Sequence, residues 1–158
     1  AISFDIDESA LNTFTQSQIN LTLDPLNNEV FVVLGVDLDV GAPSALAGTN
    51  TQSTMALTTT SKTAVPSLGD SQTLARVQSK IQAAGFADSG VGFQHTSPDT
   101  PTGMLDYIGI IATNNMFVQI QGANNLGAIS GAGRVWGYRA RADASVYGAL
   151  VQSEVLSA

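Results

Sequence analysis

The chain has 158 residues, 12% of them charged, with a formal net charge of −7 and no cysteine. This length accommodates one domain with a proper core and is short for two. The acidic balance excludes a basic groove that binds nucleic acid by counterion release, and the lack of cysteine excludes disulfides, thiolate metal sites and thiol nucleophiles.

The N-terminal part of the chain carries alternating patterns that predict β-strands. Apolar residues at positions 2, 4 and 6 alternate with polar ones, which predicts a short first strand. Residues 19–23 alternate in the same way. Asp24 and Pro25, followed by Leu26-Asn27-Asn28, supply turn chemistry. We therefore predict an antiparallel hairpin over residues 18–40.

The second arm of that hairpin, Glu29–Val40, is the most hydrophobic stretch of the chain. Its even-numbered positions are all apolar and are predicted to share one face of a long strand. Its odd-numbered positions are apolar in the middle and acidic at Asp37 and Asp39. The strand is therefore predicted to be buried on both faces and to emerge into water near Asp37. Thr-rich residues 53–60 predict a further strand.

The segment that follows changes period and predicts a helix of about fourteen residues. Its apolar positions 74, 77, 81 and 84 recur at helical spacing. Asp70 or Ser71 is placed to cap the start of this helix, and Gly85 is placed to end it.

Extended structure is predicted again in the C-terminal half. Strands are expected around residues 91–97, 105–113 and 116–121, and Asn114-Asn115 between the last two has the chemistry of a two-residue hairpin turn. Residues 122–133 are rich in Gly, Ala and Asn and predict a loop. Residues 133–142 predict a strand with Trp136 and Tyr138 on one face and Val135 on the other. In the tail, Asp143 or Ser145 could cap a terminal helix, although a last strand is the alternative.

Together these patterns predict an all-β, mainly antiparallel fold: a jelly-roll-like β-sandwich with one or two short helices in connections. Seven or eight strands joined mostly by short turns bury their apolar faces by packing one sheet on another. No repeat or low-complexity linker divides the chain, so residues 1–158 are expected to form a single domain.

Residues with catalytic or metal-binding chemistry are sparse. His95 is the single histidine, and one His without Cys cannot supply a zinc site. Asp37 and Asp39 share one side of their strand and are weak candidates for calcium, with solvated strand ends as the alternative. Gly131-Ala132-Gly133 leads into a strand instead of a helix and so does not form a phosphate loop. No enzymatic activity and no cofactor are predicted.

Basic residues cluster on one predicted strand. Arg134, Arg139 and Arg141 are half of the six basic residues and lie near Trp136 and Tyr138. They could pair with carboxylates and stack on the aromatic rings of the same chain. They could equally anchor a subunit interface, where Arg, Tyr and Trp are enriched.

Three stretches resemble single jelly-roll capsid proteins and other small structural proteins of tailless bacterial and archaeal viruses. They are the Leu-Thr-Leu strand, turn and Val-rich strand of residues 20–39, the paired stretches 107–113 and 116–121, and Val135-Trp136-Gly137-Tyr138-Arg139-Ala140. The resemblance implies a non-catalytic, self-assembling subunit that contacts its own copies and other virion proteins. Many such proteins carry a basic arm for the genome, whereas this N-terminus is acidic, so direct nucleic-acid binding is not expected.

Two other functions fit the same composition. An extracellular, cell-surface or virion-surface sandwich could bind carbohydrate on Tyr107, Trp136 and Tyr138, or decorate a larger lattice. A ligand-binding barrel of the lipocalin kind is a third possibility. The apolar runs are all shorter than the roughly 20 residues that a membrane-spanning helix needs, so no transmembrane segment is predicted.

Overall fold

The structure, a computed structural model, describes residues 1–84, 93–97 and 106–157, without the side chains of residues 93–97 and 153–157. These residues form nine strands, one short 3₁₀ turn and one α-helix. The elements are β1 (Ile2–Asp7), β2 (Thr15–Asn20), the 3₁₀ turn (Pro25–Asn27), β3 (Glu29–Val40), β4 (Thr51–Thr58), β5 (Thr73–Gln82), β6 (Phe93–Ser97), β7 (Gly109–Ile111), β8 (Asn115–Ala123), β9 (Ser130–Arg141) and α1 (Ala144–Ser157).

The strands pair as one long antiparallel ribbon that is rolled into two sheets. β4 pairs with β5, β3 with β7, β2 with β8 and β1 with β9. The strand order is β1-β9-β3-β7 in the sheet that we call sheet A, and β2-β8-β4-β5-β6 in sheet B. This is jelly-roll connectivity, with β6 added at the edge of sheet B. The predicted all-β sandwich is therefore confirmed.

The core lies between the two sheets and is built from the inward side of each strand. Sheet A contributes Val33 and Val135, and sheet B contributes Met55 and Leu57, all with no exposed surface. In β8 the inward residues are Met116, Val118 and Ile120, in the alternation that the sequence predicted. Each large apolar side chain buried in this way stabilises the fold by about 2 kcal/mol.

Both predicted hairpins are wrong, because the connections concerned cross from one sheet to the other. The first strand of the pair is β2, four residues earlier than predicted, and it pairs with β8 in sheet B. β3 pairs with β9 and β7 in sheet A. Likewise, Asn114 lies between β7 in sheet A and β8 in sheet B. A rolled ribbon pairs strands that are distant in sequence. The turn residues at Asp24–Asn28 and at Asn114 therefore connect a strand of one sheet to a strand of the other, and do not close a hairpin.

The helix predicted between the cap at Asp70 or Ser71 and Gly85 is also wrong, because residues Thr73–Gln82 form strand β5. Ala75, Val77 and Ser79 are buried at every second position, a period of two that small residues disguise in the sequence. β4 and β6 hydrogen-bond to the two sides of β5. Pairing on both sides outweighs local helical propensity. The proposed end residue, Gly85, lies outside the described residues.

A β-bulge in β3 changes which of its residues face the core, compared with the sequence prediction. The pairing with β9 skips one residue between Val33 and Gly35, so that Leu34 is extra. Before the bulge Phe31 and Val33 point into the core, whereas after it Val36 and Leu38 do. The even-numbered residues therefore do not share one face. As predicted, the strand is buried on both faces in its first half and has Asp37 and Asp39 exposed in its second half.

The predicted loop over residues 122–133 is shorter than expected, because β8 ends at Ala123 and β9 begins at Ser130. Gly131, Gly133 and Gly137 lie on the inward side of β9, on either side of the buried Val135. A methyl group on Gly133 would come within 2.5 Å of the Phe4 ring, and one on Gly131 within 2.7 Å of the Met55 sulfur. These glycines therefore make room for large side chains of the core.

The tail is a helix, α1, as the sequence favoured. Asp143 caps it: Asp143 Oδ1 accepts the Val146 backbone N–H at 2.8 Å and the Ser145 hydroxyl at 2.9 Å. These hydrogen bonds, that of Val146 above all, lower the pKa of Asp143 below its ordinary value of 3.8. The cap therefore depends on the ionised carboxylate.

We expect the start of α1 to unwind in acid. Because the folded-state pKa of Asp143 is lowered, its contribution is fully present above pH 3.8 and is lost as the pH falls through the folded-state value. Hydrogen exchange of the Val146 amide should accelerate relative to the amides of β8 over this range. The Asp143→Asn variant keeps the oxygen acceptor without its charge and should show no such step. An identical acid step in Asp143→Asn would assign the effect to another carboxylate.

Candidate functional site

The outward side of sheet A collects most of the residues that the sequence singled out. Val135 is fully buried, so its neighbours Arg134 and Trp136 point away from the core. The pairing of β9 with β3 places Asp37 directly beside Arg134, and Asp39 beside Ala132. We call this surface the outer face. It comprises Ser3, Asp5, Asp7, Asp37, Asp39, Ala132, Arg134, Trp136 and Tyr138.

The outer face has an acidic half and an aromatic half. Asp5 and Asp39 lie on either side of Ala132, and Asp37 lies beside Arg134 at the boundary. Arg134 Nε donates a hydrogen bond to Ser3 Oγ at 3.0 Å. A depression of about 280 Å³ follows this boundary, lined by Ser3, Phe4, Asp37, Asp39, Ala132, Gly133, Arg134 and Trp136. Carboxylates, a guanidinium and an indole therefore meet in one concave surface.

The aromatic half is an exposed apolar surface. Trp136 is 42% exposed, Tyr138 53% and the bulged Leu34 46%. Trp136 lies beside Gly35. A methyl group added to Gly35 would lie 3.7 Å from the edge of the Trp136 ring, so the ring packs over the bare backbone of Gly35. Adjacent large apolar groups on a surface are typical of interaction sites. This half of the outer face is thus suited to contact another molecule.

Arg139 is instead engaged within the chain. Its Nη2 donates to the Leu21 carbonyl at 3.0 Å and to Thr22 Oγ1 at 2.7 Å, and its Nε lies 3.7 Å from Glu29 Oε1. Thr22 has a φ of 53°, a left-handed conformation that is strained for a β-branched residue. Arg139 therefore stabilises a strained turn between β2 and β3. Arg141 lies opposite Glu29 at the exposed end of β9.

We expect Arg139→Ala to lower the free energy of unfolding by about 1 kcal/mol, because two hydrogen bonds to the strained turn are lost. Arg141→Ala removes the same charge from the same end of β9 without losing those bonds, and should change stability by less than about 0.5 kcal/mol. Urea denaturation measures both. Equal losses in the two variants would show that charge, and not the turn, is responsible.

Among the described residues, the fold brings no further metal ligands to Asp37 and Asp39. In the part of the chain that the structure describes, no group of three or more His, Cys, Asp or Glu residues is placed to hold a metal ion. His95 pairs with Lys80 through the backbone of β6. Its side chain lies outside the described atoms.

A buried polar network, which the sequence analysis missed, ties together the loops at one end of the sandwich. Glu8 accepts the backbone N–H groups of Gly122 and Ile129, both at 2.9 Å. Asn125 accepts the Ser44 N–H at 2.9 Å and donates to the Gln52 carbonyl at 3.0 Å. Such isolated polar residues have no sequence signature, because only the pairing of the strands brings their partners close.

Residues 59–72 cover part of the outer side of sheet B: the Lys62 backbone N–H donates to Gln16 Oε1 at 2.8 Å, and Arg76 Nε donates to the Pro66 carbonyl at 3.1 Å. Gln119 is fully buried there and donates to Thr58 Oγ1 at 2.7 Å, and Asp70 pairs with Lys62 at 2.9 Å. The Gln72 backbone N–H and then Lys62 lower the pKa of Asp70. Arg76 lines a polar groove of about 240 Å³ beside this segment, and burial lowers the pKa of its guanidinium. Sheet B therefore offers less free surface than sheet A.

Within the described residues, the helix is too short and not apolar enough over its length to cross a bilayer. The surfaces just described, and above all the outer face of sheet A, are therefore the basis for a functional interpretation. A search of protein-family models, of curated proteins and of solved structures found no match to this chain.

Proposed function

We propose that this protein is a non-catalytic structural subunit of a virus particle, which assembles with copies of itself and with other virion proteins. The jelly-roll connectivity supports this proposal, because the fold is widely used for capsid subunits. The low charged fraction supports it as well, since few charges have to lose water when subunits associate. The protein would then reside in the virion.

The observation that carries the proposal is the exposed aromatic half of the outer face. Trp136 and Tyr138 are large, rigid side chains of the type that anchors protein interfaces, and both lie on a regular strand of the sandwich. A rigid strand presents them in a fixed geometry, which a repeating assembly requires. Sheet B, in contrast, is already partly covered by the chain's own residues 59–72.

Light scattering and electron microscopy of the purified protein test the proposal. We expect a concentration-dependent series of oligomers and, at high concentration or with crowding agents, rings or closed shells. Trp136→Ala and Tyr138→Ala should each weaken assembly, while Gln18→Ala on the exposed edge strand β2 of sheet B should not. A protein that stays monomeric up to millimolar concentration, alone and with virion extracts, would overturn the proposal.

A carbohydrate-binding surface is the second candidate, and the depression at the boundary of the outer face favours it. Trp136 offers a ring for stacking on a sugar, and Asp37 and Asp39 offer acceptors for its hydroxyl groups. Tyr107, which the sequence grouped with Trp136, does not line the depression, so a glycan array should give selective binding that Trp136→Ala abolishes and Tyr107→Ala leaves unchanged. In that case the protein would act at a cell or virion surface. Absence of glycan binding would reject this candidate.

A further inference from the structure

We propose that α1 is an exchanged arm that packs on the aromatic half of the outer face of a second copy of this chain. The inference rests on the proposed self-assembling function and specifies its contact. It would make each subunit both the donor of a helix and the acceptor of one.

The first step is that α1 is an uncharged helix that is poorly suited to exposure to water. Residues 144–153 contain no charged residue, and Glu154 is the single charged residue in the helix. Val146 is 48% exposed, no described atom outside the helix lies within 4 Å of a methyl group added at Gly148, and α1 makes no substantial contact with any described strand. An isolated helix of this length is marginal in water and is normally stabilised by packing. A partner for α1 is therefore expected.

The second step is that α1 does not pack on its own sheet. Ala142 and Asp143 alone separate β9 from α1, and the backbone N–H of Ala142 donates to the Asn28 carbonyl at 3.0 Å. The Asp143 carbonyl accepts the Tyr147 N–H at 2.9 Å, and its side chain caps the helix. From the position that these hydrogen bonds give it, α1 makes no substantial contact with the strands of sheet A. The partner surface is thus expected on another molecule.

The third step is that the outer face has the matching chemistry. Its aromatic half offers uncharged, exposed groups at Leu34, Trp136 and Tyr138. Arg134 lies at the boundary of this half with the acidic half. An uncharged helix matches an apolar strip, because neither surface has to bury an unpaired charge. The acidic half, with Asp5 and Asp39, offers no such match.

The predicted contact is heterologous, because a helix of one copy meets a sheet of the next. Contacts of this kind repeat head to tail and close into rings when the rotation permits. Ring formation is the geometry that capsomers require. A membrane surface fits α1 less well, because the helix has no charged face opposite an apolar one.

Complementation between two full-length variants tests this arrangement. Leu150→Asp impairs the arm and Trp136→Asp impairs the acceptor face. Each alone should associate about 30-fold more weakly than the parent chain, the effect of losing one interface anchor. Mixed in equal amounts, they retain one intact arm and one intact face between them. Light scattering should then show a 1:1 heterodimer that does not grow further.

Matched controls and alternative outcomes make the test decisive. Gln152→Asp adds the same charge to another side of α1, and Gln18→Asp adds it to sheet B; both should assemble like the parent, and circular dichroism should show native folding throughout. If Trp136→Asp assembles normally while Leu150→Asp does not, helices pair with helices and the inference is overturned.

Binding of α1 to phosphatidylcholine vesicles, without self-association, would also overturn it. Normal assembly of both variants would reject the arm and leave the proposed function intact, whereas a monomeric parent chain would reject both.

Discussion

Replacing Gly137 with alanine is expected to lower the free energy of unfolding by about 3 kcal/mol, at the upper end of what overpacking costs. A methyl group at this position would meet the backbone carbonyl oxygen of Val32 and would lie 2.7 Å from the Phe31 ring. The carbonyl belongs to the neighbouring strand β3 and cannot rotate away. In thermal denaturation the midpoint should fall by roughly 10 °C.

Gly127→Ala is the matched control for this substitution. Gly127 lies in the loop before β9, and nothing lies within 4 Å of the added methyl group. Its stability should therefore stay within about 0.5 kcal/mol of the parent. Equal midpoints for the two variants would contradict this prediction. They would mean that Gly137 lies farther from Phe31 and Val32 in solution than the structure shows.

Replacing Glu8 with alanine is expected to cost about 3 kcal/mol. The Glu8 carboxylate is buried and accepts two backbone N–H groups, those of Gly122 and Ile129. Removing it leaves both donors without an acceptor, and each hydrogen bond to a charged group contributes about 1.5–3 kcal/mol. Hydrogen exchange should show the amides of Gly122 and Ile129 opening first. Urea denaturation would give the overall loss.

Asp7→Ala controls for the charge, because Asp7 is the exposed last residue of β1 and directly precedes Glu8. It should change stability by less than about 0.5 kcal/mol. Glu8→Gln should fall between the two, because the amide keeps one oxygen acceptor and turns a donor toward the second N–H. A loss for Asp7→Ala as large as that for Glu8→Ala would contradict the assignment to buried hydrogen bonds.

Period-two alternation predicted several strands from sequence alone. β1 and β8 lie where it placed them, because inward apolar residues recur at every second position in each strand. It failed for β5, whose inward Ala75 and Ser79 are too small to give a hydrophobic signal. It also failed for the pairing of strands. The partners of β1 and β2 lie more than 90 residues further along the chain, and no local pattern encodes such a contact.

The candidate site was predictable in its parts and not as a whole. Alternation placed Trp136 and Tyr138 on one side of a strand, which the structure also shows. The meeting of Asp37 with Arg134 follows from the register between β3 and β9, which the sequence does not specify. Arg139 was grouped with the interface residues because its partners at Leu21 and Thr22 come from another sheet connection. Tertiary pairing determines all of these contacts.

The extra residue Leu34 sets how this protein tolerates changes in length. Because Leu34 is opposite no residue of β9, its deletion would return β3 to regular alternation, with Val33, Val36 and Leu38 still in the core and Asp37 and Asp39 still exposed. A residue inserted after Gly35 would instead move every later residue of β3 to the opposite side, so that Asp37 and Asp39 would enter the core. In a library of length variants, chains that lack residue 34 should therefore fold, whereas chains with one residue inserted after Gly35 should aggregate.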